Sequence, residues 1–222
     1  MTDFKSQIIE MIGEISGKYS KYQVFYDWVE MFAISIQNSC CVFHNELYME
    51  REQKFIDISK KYSNDEFEIF RNMCNSYTNL LHYEGLNDWL GEIYMDGECG
   101  NKSTGQFFTP YFISKISAKI LVENKKIDSD GKIKIQEPSC GSGGMIIGAA
   151  DVMDKKGMNY QKIIQATVQD IDWLCVYMTY IQLSLIGIDA IVVNGDTLKE
   201  PYREKYPEER IFKTPKRMGV LI

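Results

Sequence analysis

A glycine-rich segment at residues 137–144 has the clearest chemical potential in this chain. It reads Glu-Pro-Ser-Cys-Gly-Ser-Gly-Gly and lies between a predicted strand at 132–136 and a predicted helix from about 145 to 153. Glycines in such a turn let the backbone approach a ligand, and the amides at the helix start face that ligand. The segment fits a cofactor-binding loop, with a bare glycine turn as the alternative. It does not match the P-loop pattern G-x-x-x-x-G-K-[ST].

Acidic side chains follow two further predicted strands. Asp170 and Asp172 come after the strand at 166–169, and an acid at such a strand end holds ribose hydroxyls in nucleotide-binding folds. We assign that role to Asp170, because Asp172 suits the N-cap of the next helix. After a third strand at 190–193, Asp196 lies in the turn Asn-Gly-Asp-Thr, where its carboxylate can accept a hydrogen bond from an adenine amino group. By itself this last sequence predicts only a turn.

A fourth segment, Thr-Gly-Gln-Phe-Phe-Thr-Pro at residues 104–110, precedes an apolar stretch with helical spacing. Thr109 fits the N-cap of that helix and Pro110 its first position. The start of such a helix favours a bound carboxylate, although a cap alone is the alternative interpretation.

The elements that must position these segments change type near residue 104. From residue 105 onward, short apolar runs alternate with helices, which indicates a parallel α/β sheet. A helix is predicted at about 172–186, ended by Gly187, and the apolar run at 218–222 predicts a fourth strand. We therefore predict a helical region at 1–104 and an α/β domain at 105–222.

The first hundred residues show apolar side chains at steps of three and four, as expected for helices. Ser63 and Glu66 form a capping-box signature. Weaker stripes predict helices near 4–16, 45–61 and 86–96, the last ending in a left-handed residue at Gly97. The two strongest stripes, which we assign to the core, are Phe25, Trp28, Val29, Phe32 and Ile36, and Phe67, Phe70, Cys74, Tyr77 and Leu81.

The composition of the 222 residues, 45 % hydrophobic and 25 % charged, is that of a globular protein. Residues 1–104 hold 17 acidic and 9 basic side chains, whereas residues 105–222 hold 14 and 16. Because Lys and Arg supply sequence-independent affinity for nucleic acid, any DNA contact is expected in the C-terminal half. The basic stretch at 199–217 is a candidate for it, with a solvated face as the alternative.

Neither a membrane span nor a metal site is predicted. Apolar runs fall short of the roughly 20 residues that a span needs, and the N-terminus lacks a secretory signal, so we predict a cytoplasmic protein. The six cysteines form no C-x-x-C pair, and the two histidines lack a matching ligand spacing. Adjacent Cys40 and Cys41 are interpreted as buried core residues rather than a redox pair.

In this order, the four segments resemble the N6-adenine DNA methyltransferase family, in particular the methylation subunit of type I restriction-modification systems. The similarity covers residues 105–198, and its motifs are specific jointly. It implies a Rossmann-like class I methyltransferase core with a truncated parallel sheet, preceded by an all-helical N-terminal region. It also implies S-adenosyl-L-methionine as the cofactor.

The same resemblance implies which residues hold that cofactor. The segment 106–111, Glu137 and the turn 142–144 would hold the methionine part, Asp170 the ribose, and Ile171 with Asp196 the adenine. The complete set of implied binding residues is Gln106, Phe107, Phe108, Thr109, Pro110, Glu137, Ser139, Gly141, Ser142, Gly143, Gly144, Asp170, Ile171 and Asp196.

The sequence departs from the family at the catalytic tetrapeptide [DNS]-P-P-[YFW], which binds the amino group of a flipped adenine and stacks on its ring. The five prolines are nowhere adjacent, so no catalytic residue is predicted. We therefore predict a methyltransferase-like protein without complete catalytic activity of its own. The alternatives are DNA methylation only with a partner subunit, a non-catalytic interaction protein acting on a restriction or defence complex, and a methyltransferase for a small molecule or protein.

The predicted strand at 218–222 would leave apolar side chains and unpaired backbone groups at a sheet edge. Something should cover such an edge. The helical region, a second copy of the chain or a separate protein would do so, and we expect a homo-oligomer or a protein partner rather than a lone monomer.

Overall fold

Two sets of elements build the chain, which this computed structural model describes at residues 3–100, 107–124, 128–203 and 205–220. One compact unit comprises Met1–Gly85 and Trp89–Phe108, and the other comprises Leu86–Asp88 and Thr109–Ile222. The chain therefore enters the second unit for three residues, returns to the first, and crosses again after Phe108.

The first unit is helical, as the sequence predicts. The reciprocal Ser63 and Glu66 capping box is present at the start of its longest helix. The buried rings of Phe25 and Tyr94 lie 5.6 Å apart, so aromatic packing holds this unit together. Its helices are α1 (Phe4–Ile15), α2 (Lys21–Ser39), α3 (Glu46–Ser59), α4 (Asn64–Glu84) and α5 (Trp89–Asp96).

The end of α5 differs from the prediction. The residue with positive φ is Glu98, at +53°, and Gly97 is not among the glycines with positive φ. A Cβ atom at Gly97 would lie 2.7 Å from the carbonyl oxygen of Ile93. The glycine is therefore required for close approach of the backbone rather than for a left-handed helix end.

The second unit is a sheet with helices, in the strand order β1-β2-β3-β4. The first three strands are parallel, and β4 pairs with β3 in the antiparallel direction. Its elements are α6 (Tyr111–Asn124), β1 (Ile133–Glu137), α7 (Gly144–Lys155), α8 (Tyr160–Ile163), β2 (Ile164–Asp170), α9 (Trp173–Leu185), β3 (Asp189–Asn194), a 3₁₀ turn (Glu208–Arg210) and β4 (Ile211–Lys213). The three predicted parallel strands are thereby confirmed, each at or within two residues of its predicted bounds.

The predicted fourth strand is wrong. Residues 218–220 form a turn in which the amide of Met218 donates to the carbonyl of Thr214 at 3.0 Å and Gly219 adopts a φ of +75°. The fourth strand is instead β4, and residues 221 and 222 lie outside the described residues. Residues 218–220 therefore do not form the apolar sheet edge that we expected. A covering partner stays a prediction, but this edge no longer supports it.

Helices α6 and α7 pack closely against one another. Each begins at the end of a predicted site segment, 104–110 for α6 and 137–144 for α7. A Cβ atom at Gly148 would lie 3.2 Å from the backbone of Ser114, and one at Gly144 would lie 3.3 Å from the hydroxyl of Ser114. Small residues one turn apart on α7 thus let α6 approach its backbone.

Candidate cofactor-binding site

The loops that follow β1, β2 and β3 meet at the carboxyl edge of the parallel strands, the edge where α/β folds bind ligands. The amide of Gly195, after β3, donates to the carbonyl of Asp170 at the end of β2, at 2.8 Å. The hydroxyl of Thr197 donates to the carbonyl of Pro138, after β1, at 2.6 Å. These bonds join the three loops into one surface.

Asp170 braces the glycine loop. Its Oδ2 accepts from the amide of Gly141 at 2.9 Å, and its Oδ1 accepts from the amide of Asp172 at 3.0 Å. Only 8 % of the residue is exposed. Burial raises the pKa of this carboxyl above its usual range, and the two amide bonds offset part of that rise. The ribose-binding role remains a prediction, but the carboxylate is in place at the predicted strand end.

Helix α9 supports the glycine loop. Gly141 and Gly143 have φ values of +55° and +93°, which side chains rarely tolerate. The hydroxyl of Thr179 donates to the carbonyl of Gly141 at 2.8 Å, and a Cβ atom at Gly143 would lie 3.2 Å from that hydroxyl oxygen. The loop thus needs glycine both for its backbone conformation and for its packing on α9.

The start of α7 presents backbone amides, because its N-cap residue is Gly143, which has no side chain to bond them. The carbonyl of Gly143 accepts the amides of Ile146 and Ile147 at 3.0 and 3.1 Å. The hydroxyl of Ser142 donates to Asp88 at 2.5 Å. The Ser142 hydroxyl is therefore already bonded, and the residue is buried.

Glu137, the last residue of β1, is half-buried, and its carboxylate accepts from the amide of Ser139 at 3.2 Å. Burial raises the pKa of Glu137, and the negative charge of Asp170 raises it further. Two carboxylates that repel one another at a partly buried edge favour a cationic ligand, which relieves the repulsion.

The turn after β3 carries Asp196, whose carboxylate accepts from the amides of Leu198 and Lys199 at 3.0 and 3.3 Å. Desolvation alone would raise its pKa, but these bonds and the Lys199 ammonium lower the pKa below its usual range. Ile171 on the neighbouring loop is 69 % exposed. An exposed apolar side chain and an ionised acceptor therefore lie on adjacent loops of this edge.

The predicted segment at 104–110 is not placed as one group. Gln106 lies outside the described residues. Phe107, which is 80 % exposed, and Phe108, whose ring lies 5.1 Å from that of Tyr94, belong to the first unit. Thr109 and Pro110 belong to the second unit and are exposed, and α6 begins one residue later than predicted.

Sequence reasoning missed several residues that shape this site. Thr179 and Gln182 are polar side chains buried in the largely apolar helix α9, and that contrast is a usable signal. Tyr206 donates to the carbonyl of Asn194 at 3.2 Å and lies so close to Gly195 that a Cβ atom there would collide with its hydroxyl. No spacing in the sequence indicates this last contact.

Within residues 3–100, 107–124, 128–203 and 205–220, no three His, Cys, Asp or Glu side chains are grouped as metal ligands. Over the same described ranges, none of the helices combines the length and apolarity needed to cross a membrane.

Parallel strands with a glycine loop and acidic strand ends at one edge form a Rossmann-like fold, which solved class I methyltransferases share. A solved structure with this fold, a putative class I S-adenosylmethionine-dependent methyltransferase from Listeria monocytogenes, aligns with 89 % of this chain and 55 % of its own at a TM-score of 0.51 and 15 % identity. The methyltransferase subunit of a type I restriction-modification system from Streptococcus thermophilus aligns with 88 % of this chain and 44 % of its own, at a TM-score of 0.49 and 20 % identity.

The chain belongs to the N-6 DNA Methylase family, whose model matches residues 87–216. This confirms the resemblance found in the sequence motifs. The methylase subunit of the type I restriction enzyme MpnII from Mycoplasma pneumoniae is 28 % identical over 145 residues, which are 64 % of this chain and 24 % of that protein. The chain thus spans about a quarter of the length of this curated relative.

Proposed function

We propose that this protein binds S-adenosyl-L-methionine at the edge formed by the loops after β1, β2 and β3. The observation that carries the proposal is the buried carboxylate of Asp170, which is bonded to the glycine loop at the end of β2, the strand that pairs with β1 and its last residue Glu137. The ligand has a sulfonium and an ammonium group that suit these acids. Its carboxylate suits the start of α6, the helix that follows Thr109 and Pro110.

Each part of the ligand has a proposed set of residues. Glu137 and Ser139 with the loop glycines would hold the methionine part, and Asp170 would accept hydrogen bonds from the ribose hydroxyls. Ile171 offers an apolar surface to the adenine ring, and Asp196 an acceptor for its amino group. Thr109 and Pro110 complete the proposed set on the methionine side, while the roles of Gln106, Phe107 and Phe108 stay expectations from the family resemblance.

The bound molecule would supply a methyl group activated by its positive sulfur, and the residues named here bind and orient it. We propose DNA adenine as the methyl acceptor and a partner subunit as the source of the acceptor-binding motif, because no [DNS]-P-P-[YFW] tetrapeptide occurs in this sequence. By itself, the chain would lack complete methylation chemistry.

Isothermal titration calorimetry with S-adenosyl-L-methionine tests the binding proposal on the full chain, Asp170→Asn and Asp189→Asn. Asp189 is a matched control, because it lies at the opposite end of β3, where it accepts from Gln165 at 3.0 Å. We expect Asp170→Asn to weaken binding by about tenfold or more, since a hydrogen bond to a charged acceptor is lost, and Asp189→Asn to bind as the unmodified chain does. Absence of heat with the unmodified chain at high ligand concentration would contradict the proposal.

A labelled-methyl assay on DNA tests the catalytic part. We expect no transfer by the chain alone and transfer when a methylase partner is added. Transfer by the chain alone would overturn the proposal of incomplete chemistry. If the chain instead binds a methylase complex with an affinity that does not change in Asp170→Asn or Asp196→Asn, a scaffold role would replace cofactor binding.

A further inference from the structure

Asp88 lies in the three-residue segment Leu86–Asp88, which belongs to the second unit although both of its flanking stretches belong to the first. The segment is anchored by Tyr111 on α6, whose hydroxyl donates to the carbonyl of Leu86 at 3.3 Å. Asp88 itself is only 3 % exposed. A carboxylate so deeply buried is expensive to desolvate, so its contacts require an explanation.

Two bonds of the Asp88 carboxylate reach the glycine loop and the helix behind it. The Ser142 hydroxyl donates to Oδ2 of Asp88 at 2.5 Å, and Nε2 of Gln182 donates to Oδ1 at 2.8 Å. The same Nε2 donates to the carbonyl of Ser142 at 2.7 Å. The side chain and the backbone of Ser142 are thus both fixed by one buried triangle of hydrogen bonds.

The carboxylate also lies at the start of α7. A Cβ atom at Gly144 would be 3.0 Å from Oδ2 of Asp88, which places the negative charge beside the first turn of the helix. The positive end of a helix dipole stabilises such a charge. Glycines on both sides of Ser142 leave the loop with few side chains to restrain it, so this triangle is an important restraint on its conformation.

We propose that Asp88 is a positioning residue for the cofactor loop, which holds Ser142 so that the amides from Gly141 to Met145 are ordered before the ligand arrives. The proposal rests on the proposed function, because the loop must bind S-adenosyl-L-methionine for its order to matter. Asp88 acts through Ser142 and Gln182.

The chemistry of the triangle calls for a carboxylate. Both oxygens of Asp88 accept hydrogen bonds, whereas an asparagine amide would turn one acceptor into a donor that faces Gln182 or Ser142. Asp88→Asn keeps the shape of the side chain and replaces a bond to a charged acceptor by, at most, a neutral bond donated to the Ser142 hydroxyl oxygen. Asp151→Asn is a matched control, because Asp151 is also a buried aspartate, lies on α7 and accepts from Lys155 at 2.8 Å, away from the loop.

Three measurements are made on the full chain and both variants: calorimetric binding of S-adenosyl-L-methionine, urea unfolding without ligand, and hydrogen exchange of the amides at 141–145 without ligand. We expect Asp88→Asn to weaken binding by about tenfold to a hundredfold, the equivalent of one lost bond to a charged acceptor. We also expect it to accelerate exchange in the loop. Asp151→Asn should change neither relative to the unmodified chain.

Equal binding by Asp88→Asn and the unmodified chain would overturn the proposal. So would equal weakening by both variants in proportion to their loss of stability, because that pattern belongs to a structural carboxylate. If Asp88→Asn does not fold, Ser142→Ala removes the same hydrogen bond from the other side. Unchanged loop exchange and binding in Ser142→Ala would then overturn the proposal, and faster exchange with weaker binding would support it.

Failure of the proposed function would appear differently. If the unmodified chain does not bind the ligand, the proposed cofactor binding is wrong. Hydrogen exchange of the loop amides then remains as the test of the role of Asp88. Faster exchange at 141–145 in Asp88→Asn would support loop positioning, and unchanged exchange would overturn it.

Discussion

Substitution of Gly143 by alanine tests the geometry of the glycine loop most directly. Gly143 has a φ of +93°, where an alanine costs about 1–2 kcal/mol. Its new Cβ atom would also lie 3.2 Å from Oγ1 and 3.3 Å from Cγ2 of Thr179, and overpacking of this kind costs about 1–3 kcal/mol. We therefore expect Gly143→Ala to lower the free energy of unfolding by about 2–5 kcal/mol, measured by urea denaturation.

Gly157, just beyond the other end of α7, separates the two contributions. It has a φ of +72°, but a Cβ atom there would meet nothing within 4 Å. Gly157→Ala should therefore lower the free energy of unfolding by only the backbone cost of about 1–2 kcal/mol. If the two variants lose equal stability, Thr179 does not restrict the space at Gly143. Close packing against Thr179 would then not be a reason for glycine at this position.

The remaining predictions concern Asp170 and two cysteines. Because burial raises the pKa of Asp170 above its ordinary 3.8, the stability from its proton is full below about pH 3.8 and is lost as pH rises through the raised pKa. The unfolding free energy of the unmodified chain should thus fall relative to that of Asp170→Asn as pH rises above about 4, and a constant difference would contradict the shift. Burial raises the pKa of the Cys140 thiol, so iodoacetamide should label Cys140 more slowly than the less buried Cys41 in the folded chain but not in urea. Equal labelling rates in the folded chain would refute the burial of Cys140.

The sequence predicted the elements whose periodicity is strong. The parallel strands were predictable because short β-branched runs such as 190–193 are bounded by turns. Helix α4 was predictable because its capping box and its apolar stripe indicate the same helix. Strand β4 was missed because three residues carry too little periodicity to stand out. The run at 218–222 was apolar enough for a strand, but Gly219 turns the backbone there.

The site was predicted in part for similar physical reasons. Glycines and acids at strand ends are local signals, so Asp170 and the glycine loop were found and do lie together. Support from distant positions has no such signal: Asp88 reaches Ser142 across 54 residues of sequence, and Tyr206 reaches Asn194 across a loop. Long-range hydrogen bonds of this kind depend on tertiary packing, which a single sequence does not display.

The bonds that join the three loops have a thermodynamic consequence for recognition. Gly141, Asp170 and Gly195 are tied together by the chain itself, so the conformational entropy of ordering this edge is lost during folding and not during association. A fragment such as adenosine or methionine would then meet a preformed half of the surface. Joining the two fragments covalently should raise affinity by removing one loss of translational freedom and by creating the sulfonium charge near Glu137 and Asp170, with little rearrangement of the protein.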